Sequence, residues 1–230
     1  MALFKDIFYP GNPERRRRVE RLYQEIIDCM KDNFYATNKL VGYLKQNFSV
    51  SSGVGKIVHG IDKLEIRERK TIKENCDIFL AATTKLQDAV RLLNENLARE
   101  LEPSAYRALK DTGLGFVETI RQLSQWSSVI TMTGASVAAV IIICRITSGA
   151  ILGAMVAEIG MIASCSIAGV VVVAIGLGVD AILSAIFGAI EREKLENAIK
   201  ELETTKSTFE PATREYTQTI YEILGAIKHM

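Results

Sequence analysis

The chain has 230 residues, with 28 lysines and arginines against 27 aspartates and glutamates and a formal net charge of +1. That balance argues against a general polyanion binder and leaves only local charged patches. Two histidines, His59 and His229, and four widely spaced cysteines, Cys29, Cys76, Cys144 and Cys165, offer no recognisable zinc motif, and the cysteines read as buried free thiols.

The opening MALFKDIFYPGNPERRRR lacks a basic region followed by an apolar run and a small-residue cleavage site. Synthesis in the cytoplasm without a signal peptide is the expectation. Asn12-Pro13-Glu14 is a helix start: Asn caps, Pro occupies the first turn, and an acid faces the positive helix end. Val19, Leu22, Ile26, Met30, Phe34, Thr37, Val41, Leu44 and Phe48 follow at steps of three and four. This pattern predicts one long amphipathic helix with Gly42 as its weakest point. Arg15, Arg16, Arg17 and Arg18 oppose the macrodipole in its first turns, so helix stability does not explain them. They suit anionic lipid headgroups, or they form a solvated face paired with Glu14, Glu20 and Glu25.

Ser49 to Gly55 reads as a loop, and the stretch over residues 56–69 allows a small β-hairpin, a short helix or a loop. Gly53-Val54-Gly55-Lys56 resembles a fragment of a phosphate loop, but the full spacing and a preceding strand are missing. A flexible loop is the expected reading. Thr71-Ile72-Lys73-Glu74 is a capping box. Ile72, Cys76, Phe79, Thr83, Leu86, Val90, Leu93, Leu97 and Leu101 then form a coiled-coil-like seam. A third helix is predicted to start near Pro103. After the apolar middle, Leu195, Ile199, Leu202 and Phe209 form a stripe, Pro211 is expected to kink or break it, and Tyr216, Ile220, Ile223, Leu224 and Ile227 continue it.

The class is therefore all-α: an elongated antiparallel bundle around a central hydrophobic hairpin, antiparallel because short loops join helices of matched length. Residues 1–125 hold the coiled-coil-like helices, 126–190 the membrane-competent hairpin, and 191–230 the returning amphipathic helix. From Gln122 to Ile190 only Arg145, Glu158 and Asp180 are charged. The run GMIASCSIAGVVVVAIGLGV, residues 160–179, is long enough to span a bilayer. Its Ile, Leu and Val residues each favour insertion by roughly 0.3 to 0.6 kcal/mol, and its glycines and serines erode that gain. Gly149, Gly153 and Ala157, and again Gly160, Ser164 and Ala168, recur every four residues and suggest close helix approach. The membrane-insertion candidates are Ile130, Val140, Ile142, Ile151, Met161, Ile167, Val171, Val173 and Ile175. The candidate headgroup or boundary charges are Arg15, Arg16, Arg17, Arg18, Arg145, Glu158 and Asp180.

FYPGNPERRRRVERLYQEIIDC at the start, TNKL at Thr37 to Leu40, TIKENCD at Thr71 to Asp77, LEPSAYRAL at Leu101 to Leu109 and GLGVDAILSAIFGAIE at Gly176 to Glu191 resemble the vertebrate family called single-pass membrane and coiled-coil domain-containing protein 3. The resemblance implies a helical, coiled-coil-bearing protein with one membrane segment, and it supplies no catalytic residue. In layout alone the chain is similar to α-helical pore-forming toxins of the cytolysin A type and, more loosely, to apolipoprotein L. No enzymatic activity, cofactor or metal is expected; paired carboxylates such as Glu191/Glu193 and Glu201/Glu203 read as solvated. Two functions follow. The chain is a membrane-interacting bundle that inserts its hairpin and oligomerises into a pore or lesion, or a constitutive membrane scaffold that recruits protein partners. A lipid membrane and further copies of the chain are the expected partners, without nucleic acid or a small-molecule substrate. Membrane association, with a soluble form allowed, is the expected location.

Overall fold

The computed structural model describes residues 12–67, 72–100, 150–164 and 192–228. Five helices occupy them: α1 Asn12–Asn47, α2 Gly53–His59, α3 Ile72–Glu100, α4 Ala150–Ser164 and α5 Arg192–Lys228. No strand occurs among the described residues, and the class is all-α. Most of the expected hairpin, the helix expected from Pro103, and the cap Thr71 lie outside the described residues.

The helical stripes of the sequence are the buried faces. In α1, Val19, Leu22, Ile26, Met30, Phe34, Thr37, Val41 and Leu44 are all buried, joined by Tyr23, Ile27, Ala36 and Leu40. The buried face is therefore wider than a narrow coiled-coil seam, as for a helix packed in a globular core. In α3 the seam residues Cys76, Phe79, Thr83, Leu86, Val90 and Leu93 are buried. Pro211 lies inside α5, which runs on to Lys228 without a break.

Contacts divide the chain into two compact units that do not follow chain order. Unit 1 takes the chain to Phe34, then Leu64–Leu80 and Met155–Glu215; unit 2 takes Tyr35–Lys63, Ala81–Ala154 and Tyr216 onwards. Each of α1, α3, α4 and α5 contributes to both.

In unit 1, Arg15 pairs with Glu196, Arg18 with Glu203, Glu25 with Lys206, and Asn33 with Thr213. The residue numbers on the two helices rise together, so α1 and α5 run parallel here. The antiparallel order expected of neighbours joined by short loops does not extend to this pair. That rule holds for helices joined by short loops, and residues 48–191 separate these two. Phe34 of α1 stacks on Phe79 of α3, with ring centroids 5.4 Å apart and planes 6° from parallel. The segment before α3 is held by Asn75, whose side chain treats Arg67 as a strand partner. Arg67 N donates to Asn75 Oδ1 at 2.9 Å, and Asn75 Nδ2 donates to Arg67 O at 3.3 Å.

In unit 2, the helix α2 begins at Gly53, inside the loop expected over Ser49 to Gly55, and takes the short-helix alternative for Lys56 to His59. Ser52 caps it by accepting a hydrogen bond from Gly55 N at 2.9 Å. Gly55 is fixed by crowding, because a Cβ there would sit 1.8 Å from Ser49 O. Tertiary fit thus overrides the poor helix propensity of two glycines. A turn and irregular chain follow α2, tied by Lys45 Nζ donating to Ile61 O and Lys85 Nζ donating to Gly60 O, each at 2.7 Å. The β-hairpin alternative for residues 56–69 is not realised among the described residues.

Candidate functional site

Arg15, half-buried, bonds Glu196 at 3.0 Å, and Arg18 bonds Glu203. These two arginines pair with acids on another helix of their own unit, in solvent-exposed contacts. Glu25 is engaged by Lys206 at 2.8 Å. Arg16 is half-buried and Arg17 exposed. Glu158 is half-buried on α4. Arg145 and Asp180 lie outside the described residues.

The α4 helix lies in the charge-poor stretch. Leu152, Met155, Ile159 and Ile162 are buried at steps of three and four. The opposite side, Gly153, Ala154 and Ala157, is exposed, and Met161 is 50% exposed. A Cβ added at Gly153 or Gly160 would meet nothing within 4 Å. Within the chain no described neighbour packs against these two glycines; Gly149 and Ala168 lie outside the described residues. Of the insertion candidates, Ile151 and Met161 fall on α4; Ile130, Val140, Ile142, Ile167, Val171, Val173 and Ile175 lie outside the described residues. Among the described residues, no helix is long and apolar enough to cross a membrane.

Buried polar contacts line the α1–α5 contact in each unit. In unit 1, Asn33 Nδ2 donates to Thr213 Oγ1 at 3.0 Å, and both residues are buried. Burial, reinforced by the negative charges of Glu210 and Asp32, pushes the Cys29 thiol up, so it is a poor nucleophile. Tyr23 is buried too, and its hydroxyl has no hydrogen-bond partner among the described residues. In unit 2, Thr37 Oγ1 and the Tyr216 hydroxyl lie 2.7 Å apart, and burial pushes the Tyr216 phenol up to about 12.

Unit 2 also contains an open groove of about 700 Å³ between α1 and α5. Asn38, Lys39, Gly42, Tyr43 and Gln46 line it from α1; Tyr221, Leu224 and Gly225 line it from α5. It exists because glycines stand on both walls, and a Cβ at Gly42 or Gly225 would meet nothing within 4 Å. Lys39 Nζ sits 5.1 Å from the centre of the Tyr35 ring, a cation–π placement. In the sequence Gly42 stands only as a weak point in a helix. The signal for the groove was the second glycine at an equivalent place in α5, which becomes visible once the two helices are known to run parallel. Among the described residues, no group of three or more His, Cys, Asp and Glu side chains gathers as a metal site would.

The described residues form an all-helical fold that carries an exposed small-residue face on α4 and a groove between α1 and α5. Residues 15–175 match the family described as "Protein of unknown function (DUF4533)", and the chain belongs to that family. No solved structure matches it.

Proposed function

We propose that the chain is a membrane-active helical protein. Its amphipathic helices carry an apolar segment, residues 126–190, that engages a lipid bilayer and joins further copies to form a pore or lesion. The observation that carries this reading is α4. A helix from the charge-poor stretch buries one apolar stripe and turns Gly153, Ala154, Ala157 and Met161 outward. Such a face suits lipid or another apolar helix better than water. At 15 residues, α4 would rise only about 22 Å and is too short to span a bilayer alone. The bilayer step is therefore assigned to the longer run at residues 160–179. The reading keeps the central hairpin and drops strict antiparallel order. The resemblance to the single-pass membrane and coiled-coil family favours a second reading, a permanent membrane scaffold.

Flotation with liposomes tests both readings. Full-length chain purified without detergent should float with added vesicles and release an entrapped dye. Val172→Lys should reduce release about a hundredfold, because a mid-span charge costs roughly 2.5 to 3.5 kcal/mol. A chain that stays at the bottom of the gradient and leaves vesicles sealed would overturn the first reading. A chain that can be extracted only with detergent supports the second.

A further inference from the structure

We propose that the groove of unit 2 binds a monomeric, anionic, single-chain amphiphile, such as a long-chain fatty acid, with its apolar chain over Gly42, Leu224 and Gly225 and its negative head at Lys39. Size is the first argument. About 700 Å³ falls within the range of small-ligand sites. The walls come from two helices of the same unit, and the missing side chains of Gly42 and Gly225 are what hold the groove open.

The lining chemistry is the second. Leu224 and the rings of Tyr43 and Tyr221 supply apolar surface, and Tyr221 is 45% exposed, as expected of a wall without a protein cover. Asn38 and Gln46 add polar atoms. Lys39 is the single charged side chain among the described lining residues, and no carboxylate is among them. A ligand with one negative end and an apolar remainder complements that set, whereas a cationic or doubly charged one does not. The Tyr35 ring beside Lys39 leaves the ammonium charge unneutralised, because a π-face attracts a cation and carries no net charge. The assignment rests on the groove alone and does not depend on bilayer engagement.

The test is a titration of the full chain with a dansyl fatty acid below its micelle concentration, followed by displacement with oleate. Saturable binding of one probe per chain is expected, and its absence overturns the proposal. Gly42→Leu and Gly225→Leu, made separately, grow into open space and should keep or raise the thermal midpoint while weakening binding at least tenfold. Unchanged binding in both would place the ligand elsewhere. Lys39→Gln alters an exposed side chain and should weaken oleate several-fold while leaving the matching fatty alcohol unaffected. An equal effect on acid and alcohol would overturn the headgroup assignment. Glycerophosphoserine, the soluble headgroup without acyl chains, should not displace the probe; displacement would contradict a fatty-acid site and point to a bilayer headgroup.

Discussion

In unit 1, α1 and α5 meet through Arg15–Glu196, Arg18–Glu203, Glu25–Lys206 and the buried Asn33–Thr213 bond. In unit 2 the same two helices share the Thr37–Tyr216 contact and then leave a groove at Gly42 and Gly225. The hydrophobic period is the same in both stretches. Side-chain size at a few positions decides whether the contact is closed or open. Amphipathic periodicity fixes which face is buried, and individual residues fix what that face can hold.

The sharpest way to break this comparison is in the core. Phe79 is fully buried and stacked on Phe34 in unit 1. Phe79→Ala should cost about 3 to 5 kcal/mol in chemical denaturation. A loss below about 1 kcal/mol would mean that the α3 seam is not core.

Glycines sharpen the comparison within unit 2, because two kinds are present. Gly55→Ala would drive a methyl into Ser49 O and should destabilise by about 1 to 3 kcal/mol. Gly42→Ala meets open space and should stabilise by roughly 0.5 to 1 kcal/mol through helix propensity. Thermal melts of the two variants should move in opposite directions.

Alkaline pH probes unit 2 selectively. The Tyr216 phenol is held neutral by burial, rising from its ordinary 10.0 to about 12. The stabilisation from its neutral form is fully present below pH 10.0 and is lost as pH rises through about 12. Tyr216→Phe should flatten that loss. At neutral pH it should cost about 0.5 to 1.5 kcal/mol through the missing Thr37 hydrogen bond. A variant that loses stability with alkali as steeply as the parent would place the sensitivity elsewhere.

The smallest effect is expected at the surface of unit 1. Glu203→Gln removes the partner of Arg18 and should cost at most about 1 kcal/mol, shrinking at high salt. A larger, salt-insensitive loss would mean that the pair does more than seal an edge.

The period-based features of this fold were legible in the sequence. Val19 to Leu44 and Cys76 to Leu93 could be named as core because burial on a helix follows a step of three or four, and Thr37 and Thr83 could be included on spacing alone. Features that need a partner were not legible. Nothing in the period of α1 states that Asn33 will meet Thr213, or that the helices run parallel, because both depend on chain 180 residues away. The bond from Arg67 N to Asn75 Oδ1 looks in sequence like an ordinary polar residue in a capping region. The Ser52 cap was hidden by Gly53 and Gly55, which read as loop residues although Gly55 is there to admit Ser49 O. The groove needs two glycines from distant helices, so only the pairing reveals it.

The parallel pairing of α1 and α5 underlies both the closed contact in unit 1 and the groove in unit 2. Distances between nitroxides test it most directly. Ketone-bearing residues would be placed at Arg17 with Asn197, and at Arg17 with Arg214, all exposed positions assigned to unit 1. Asn197 and Arg214 are separated along α5 by a rise of about 25 Å. Parallel helices give a short distance for the Arg17–Asn197 pair and one longer by on the order of 10 Å for the Arg17–Arg214 pair. The reverse order, with Arg17 nearer Arg214, would contradict the parallel pairing and the groove that depends on it.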